Sequence, residues 1–149
     1  MRLSTRARYG LRAMTALARR SGGLVTSEAL AVEEGVSKRY LDSILGRLRE
    51  AGLLTAAAGA RGGYALARRP EEISAAEVVE VLDGEVSIVP CVKDPGSCER
   101  AERCPTRPVW AAASAAVERV LGGITLADLA GGGRGVGAMA MSGPGASRG

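Results

Sequence analysis

Two helical patterns stand three residues apart, and no other feature restricts the fold of this chain as tightly. The first runs from about Ser27 to Glu34 and the second from Lys38 to Glu50. Gly35 suits the left-handed residue just past a helix end, and Ser37 suits the N-cap of the next helix. So short a link forces two helices to pack against each other as a helix-turn-helix. The second helix carries Leu41, Ile44, Leu45 and Leu48 at i, i+3, i+4 and i+7, the stripe of a helix with one buried face. Its other side shows Lys38, Arg39, Asp42, Ser43, Gly46 and Arg47. Gly46 weakens the helix by about 1 kcal/mol relative to Ala, which suggests close approach of something to that face or simple tolerance.

The flanking segments extend this unit. Ser4 can cap a first helix in which Ala7, Leu11, Met14 and Ala18 recur at helical spacing until Gly22-Gly23 ends it. After Gly52, Leu53-Leu54-Thr55 and Tyr64-Ala65-Leu66 read as two short strands around a tip with Gly59, Arg61, Gly62 and Gly63. Pro70 breaks the chain. Ser74 and Glu77 form a capping box for a helix with Ala75, Val78, Val79 and Leu82 inward, stopped at Asp83-Gly84.

Residues 85–104 lack convincing periodicity, so a loop is expected there. Beyond it, Pro105 and Pro108 open a helix bearing Val109, Trp110, Ala113, Val117, Val120, Leu121 and Ile124 at three- and four-residue steps. An apolar helix so far from the rest needs a partner surface, and a second copy of the chain is the simplest supplier. From Gly131 onward, 8 of the last 19 residues are Gly, and this tail is expected to be disordered.

The expected class is therefore mainly α with a small β-hairpin wing: a winged helix-turn-helix plus a long C-terminal dimerisation helix. The expected divisions are residues 1–83 for the winged domain, 84–104 for a cysteine loop and 105–130 for the dimerisation helix with a short C-terminal segment. Residues 131–149 form the tail.

Charge separates along the same line. The chain carries +4 overall, but residues 1–69 hold thirteen Lys and Arg against five Asp and Glu, a net of +8. Residues 70–149 hold seven against eleven, a net of −4. Such asymmetry points the first half at a polyanion. There is no His, which removes His-based acid/base catalysis, Ser-His-Asp triads and C2H2 zinc fingers. The uncharged run Ala13 to Ala18 is too short for a signal peptide, and no stretch reaches the roughly 20 apolar residues of a membrane span. A cytoplasmic, non-membrane protein is expected.

The polar side of the second helix has the chemistry to read DNA. Arg39 can donate two bonds to guanine, Asp42 can accept from cytosine or orient an arginine, and Ser43 can bond base or phosphate. Arg61 can enter a minor groove or clamp a phosphate, with Gly62 beside it at the tip. Lys38, Arg47, Arg2, Arg6 and Arg8 suit phosphate contacts, and Ser37 and Tyr40 complete the candidate set at the helix start. A solvated helix face is the ordinary alternative for any one of these charges. Their combination with a helix-turn-helix and a basic, glycine-lined wing is the pattern of a DNA-binding domain.

Cys91, Cys98 and Cys104, spaced C-x6-C-x5-C, can converge on one soft metal or iron-sulfur centre. A fourth ligand would be a carboxylate, with Asp94, Glu99 and Glu102 nearby, another oxygen, an external thiol or a residue of a partner subunit. Redox-sensing thiols, inert cysteines and a zinc site are the alternatives.

Several motifs together resemble the Rrf-two family of bacterial transcription regulators, most closely its IscR-type, iron-sulfur-cluster regulator branch. They are Met1-Arg2-Leu3-Ser4-Thr5 with Arg8-Tyr9-Gly10, Ser37-Lys38-Arg39-Tyr40-Leu41, Arg61-Gly62-Gly63-Tyr64-Ala65-Leu66, the three cysteines, and Ile124-Thr125-Leu126-Ala127-Asp128-Leu129. The resemblance covers about residues 1–130. It implies a homodimeric winged-helix regulator, crossed through a long C-terminal helix. It also implies an iron-sulfur cluster, 2Fe-2S or alternatively 4Fe-4S, on Cys91, Cys98 and Cys104. Two places depart from the family pattern: Arg107 stands where the IscR-type has a His, and Arg8 where nitric oxide sensors of the family have an Asp. The function expected is a DNA-binding repressor sensing redox state through the cluster, with partners limited to double-stranded operator DNA and a second copy. The alternatives are sensing by thiol oxidation or a small ligand without a cluster, and, from another class, a thiol oxidoreductase.

Overall fold

A computed structural model describes residues 3–20 and 22–137. The first three helices are α1 (Thr5–Ala18), α2 (Ser27–Glu34) and α3 (Lys38–Glu50). Each is started by the residue that local chemistry favours. Ser4, Thr26 and Ser37 accept side-chain bonds from the backbone N–H of Ala7, Ala29 and Tyr40, satisfying donors that a helix start leaves open. Gly35 takes φ 66°, ψ 35° after α2, the left-handed conformation that reverses the chain into α3. α1 ends at Ala18, earlier than the Gly22-Gly23 boundary expected: Arg19 still donates to the Thr15 carbonyl as in a helix, but Arg20 donates to Leu17 in a tighter turn that closes it.

β1 (Leu54–Ala57) and β2 (Gly63–Leu66) form an antiparallel hairpin with Leu54 opposite Leu66 and Ala57 opposite Gly63. The ladder extends two residues nearer the tip on β1 than the hydrophobic pattern suggests, and Leu53 falls outside it, buried beneath α3 with its N–H on the Leu48 carbonyl. Val25 adds a bridge to Tyr64, donating at 2.9 Å and accepting at 2.7 Å, so the wing is stitched to the segment before α2. Gly62 has a steric role here: a Cβ would stand 2.2 Å from the Ala57 carbonyl oxygen, closer than any side chain allows.

α4 (Ala75–Asp83) has the expected capping box between Ser74 and Glu77 and packs on α1 and α3. Met14, Leu30, Leu41, Ile44, Leu45, Leu48, Ile73 and Val78 are fully enclosed and form the centre of the core. Each such side chain contributes about 1.5–3 kcal/mol by leaving water, so the α3 stripe alone ties the helix firmly to the domain.

Residues 85–104 are less irregular than expected: α5 (Pro90–Lys93) is followed by single 3-10 turns at Pro95–Ser97 and Ala101–Arg103. Then come α6 (Arg107–Gly122) and α7 (Leu126–Ala130). Among the described residues of α6 only Ser114 is buried, while Val109, Trp110 and Val120 are exposed. Ile124, expected on the same outward stripe, is instead buried in its own subunit. The Ala75 N–H bonds its carbonyl at 2.8 Å, and Leu126 donates to Ile73 at 2.9 Å, which draws this stretch into the core. Residues 131–137 make turns that close on α7, with Gly131 bonded to Ala127 and Gly133 to Asp128. The remainder of the expected tail, residues 138–149, lies outside the described residues.

Candidate nucleic-acid interface and cysteine segment

α3 presents its polar face outward because four large apolar residues hold the opposite face in the core. On that face Arg39 is exposed and has no ion-pair partner among the described residues. Lys38 and Asp42, one turn apart, pair with each other at 2.7 Å. The hydrogen bond to Asp42 raises the Lys38 pKa, and Lys38 and then Ser27 hold the Asp42 carboxyl below the usual carboxylate range. Ser43 is exposed but donates its hydroxyl to the Tyr40 carbonyl at 2.7 Å, leaving its oxygen free to accept. Arg47 is exposed in the last turn of α3, one turn beyond Ser43. A Cβ at Gly46 would meet nothing within 4 Å, so the clear space beside it is open to an outside molecule.

Other candidates hold the surface together. Ser37 caps α3, and Tyr40 is half-buried, edge-on to Tyr9 at a centroid distance of 6.2 Å. Gly62 is buried behind the hairpin tip, while Arg61 beside it is exposed. Arg6 turns away from solvent to donate to the Leu82 carbonyl at 3.1 Å, close to the end of α4, where a cation suits the helix dipole. Arg2 lies outside the described residues.

The cations of the basic half divide into two sets. Arg12, Arg20, Arg68 and Arg69 pair with Glu34, Glu33, Glu77 and Glu72. Arg8, Arg19, Arg39, Arg47, Arg49 and Arg61 are exposed with no ion-pair partner among the described residues. Arg49 is not evident from the helical pattern, where it borders the apolar stripe at Leu45 and Leu48; its place in the last turn of α3 is the one signal in the sequence.

All three cysteines are free thiols, Cys98 exposed and Cys91 and Cys104 half-buried. Among the described residues no three Cys, Asp or Glu side chains gather tightly enough to hold a metal ion in this conformation. Cys104 stands just before α6, its sulfur 3.2 Å from the Thr106 hydroxyl. That hydrogen bond, helped by nearby backbone N–H groups and Arg100, holds its thiol below the usual range. Arg107 donates its Nε to the Cys91 carbonyl at 3.0 Å, and Lys93 pairs with Glu118 of α6 at 2.7 Å. Upstream, the Ile88 N–H donates to the buried Ser114 hydroxyl at 3.0 Å. The ties to α6 were not visible in the sequence, since each joins residues 16 or more apart. The segment begins at another junction: the Ser4 backbone N–H and hydroxyl both donate to the Asp83 carboxylate, the former at 2.7 Å.

Comparison with known proteins agrees with this architecture. A profile of the Rrf2 (Rrf-two) family, described as "Iron-dependent Transcriptional regulator", matches residues 3–132. Protein rrf2 of Nitratidesulfovibrio vulgaris is 38% identical over 130 residues, 87% of each chain. The structure of CymR, titled the global cysteine regulator of B. subtilis, superposes with a TM-score of 0.74 at 36% identity, covering 88% of this chain and 97% of its own. That of T. potens IscR gives 0.72 at 32% identity, covering 97% and 94%. CymR of Bacillus subtilis and IscR of Sodalis glossinidius, 37% and 34% identical over 87% of this chain, are named HTH-type transcriptional regulators.

Proposed function

The chain belongs to the Rrf2 family of transcriptional regulators, and from that premise we propose that it is a homodimeric, cytoplasmic repressor of a roughly palindromic double-stranded DNA operator, controlled by chemistry at its three cysteines. One observation carries the DNA half: on a winged helix, the cations left unpaired include those of the recognition helix and wing tip, Arg39, Arg47 and Arg61. Arg39 near the start of α3 reads a guanine, and Ser43 accepts from the next base. Lys38, Arg47, Arg49 and Arg2 meet phosphates, while Arg61 enters the minor groove. Ser37, Tyr40, Asp42 and Gly62 shape and hold the surface that these side chains project from. Two copies joined through α6 dock their recognition helices about 10 bp apart, or a multiple of that. Selection from random duplexes followed by anisotropy titration tests this. A sequence preference lost on Arg39→Ala supports it, and equal affinity for selected and scrambled duplexes overturns it.

For the sensing half, Cys91, Cys98 and Cys104 would hold an iron-sulfur cluster, 2Fe-2S or else 4Fe-4S. The donor set suits it, because thiolates are the ligands such clusters prefer and three of them lie within one short segment. When bound, the cluster supplies a redox-active, chemically labile centre. The fourth position falls to Asp94, Glu99, Glu102, an external thiol or a residue of the partner subunit, since the guanidinium of Arg107 stays protonated and has no lone pair to offer a metal. The chain transmits a change in this segment at two places: through Ser4 and Asp83 to the start of α1, and through Ser114 and Glu118 to α6. Anaerobic purification with iron and sulfide counted per dimer is the test; an iron-free, colourless protein that keeps its operator affinity overturns the cluster.

A second reading has the same thiols respond to oxidation with no cluster. It is favoured by the likeness to Staphylococcus aureus CymR, whose structure is that of an oxidized form. Peptide mapping after peroxide, looking for a disulfide among Cys91, Cys98 and Cys104, separates the two.

A further inference from the structure

We infer that Arg107 is a positioning residue that holds Cys91 and Cys104 as a preset pair at the N-terminal end of α6, leaving Cys98 as the one thiol that must travel to join them. This rests on the cysteine segment being the sensor only for its biological meaning, because the geometry can be tested in reduced, iron-free protein.

Arg107 reaches Cys91 with its side chain, while its main-chain N–H closes on Cys104 a turn that any residue but proline would make, so only the first tie is specific to arginine. Its own N–H donates to the Cys104 carbonyl at 3.3 Å and its Nε to the Cys91 carbonyl at 3.0 Å. One residue thus bridges two chain positions thirteen apart. A guanidinium suits this task, since its donors are rigidly placed, remain charged at every working pH and bond strongly to carbonyl oxygens.

Two more ties on the same side of α6 keep Cys91 in register. Residues 107, 114 and 118 follow at i, i+7 and i+11, which places them along one stripe of the helix. Ser114 on that stripe receives the Ile88 N–H, and Glu118 pairs with Lys93, two residues past Cys91. The exposed ion pair adds little energy by itself. The buried Ser114 bond is stricter, because losing it would strand a part-buried N–H. In contrast, the backbone bonds donated by residues 95–103 end within residues 94–103, and Cys98 is exposed.

The test is cross-linking by a short bifunctional thiol-alkylating reagent on the reduced, iron-free full chain, with links located by peptide mapping. The expected product is a Cys91–Cys104 link in excess over links to Cys98. Arg107→Ala should lower that link about tenfold relative to single alkylation of Cys98, as expected when a positioning contact is lost, while Tm holds. Arg107→Lys, which retains a donor, should keep most of it. Links to Cys98 formed as readily in the unaltered chain, or a Cys91–Cys104 yield unchanged in Arg107→Ala, overturn the inference. Should the Ala variant unfold, Arg107→Gln is read by the same ratio. The sensor reading fails separately, if a triple Cys-to-Ser variant regulates its operator as the unaltered chain does.

Discussion

α3 and α6 are both amphipathic helices of similar length, yet they are turned in opposite senses. α3 buries Leu41, Ile44, Leu45 and Leu48 within its own subunit and shows cations to solvent. α6 turns Ser114 inward and leaves Val109, Trp110 and Val120 exposed, Val109 by 59%. The first helix has its apolar face satisfied in one chain and its cations outward, as the proposed DNA contact requires. The second leaves aromatic and branched residues exposed, which in the proposed dimer a copy of itself would cover. The same periodicity therefore has two meanings, depending on which face the core can reach.

Substitutions that pit the two helices against each other probe this contrast. The largest effect belongs to Leu45→Ala, a cavity in the core of the winged domain, which should cost about 2–5 kcal/mol in urea unfolding. Val109→Ala should move subunit stability by less than about 0.5 kcal/mol. Comparable losses for both would mean that α6 is packed like α3. Next in size, Trp110→Asp should weaken self-association by about 2–4 kcal/mol, read by sedimentation, as for a central aromatic of an interface. An unchanged association constant would show that α6 does not join two copies.

Arg39→Ala should cost about 1–3 kcal/mol in operator binding and relax preference at one base, whereas Arg47→Ala should chiefly reduce the salt slope of binding by about 1. Equal effects of both on every sequence would reduce α3 to a phosphate-binding face. The smallest effect is acid sensitivity. Asp42 titrates below the usual carboxylate range in the folded chain, so its stabilisation is fully present above about pH 4, the unfolded value, and fades as pH falls through its folded pKa. Asp42→Asn should flatten the acid limb of a Tm profile slightly, because the partner Lys38 is more than half exposed.

The parts legible in sequence were those set by neighbours a few residues away. Ser4, Ser37 and Ser74 cap as their spacing implies, Gly35 reverses the chain, and the α3 stripe is buried residue for residue. The candidate interface was legible as a list of charges but not as a division between paired and unpaired ones. That division needed Arg68 to meet Glu77 and Arg12 to meet Glu34, contacts made across elements. Ile124 was misplaced for the same reason. Periodicity assigns a residue to a stripe, whereas its burial here comes from strand-like bonding of residues 124–126 to residues 73–75, about a third of the chain away.

By itself the sequence determined the order of elements, the caps and turns, the charge asymmetry and the kinds of side chain on each face, since all of these follow from local backbone preference and composition. Only the tertiary structure decided which arginines remain available, that α7 belongs to the winged core, and that Arg107 spans Cys91 and Cys104. Those outcomes depend on which distant groups the packed core brings within hydrogen-bond reach. Such closures gain their energy from desolvation and geometry that no local window of residues contains.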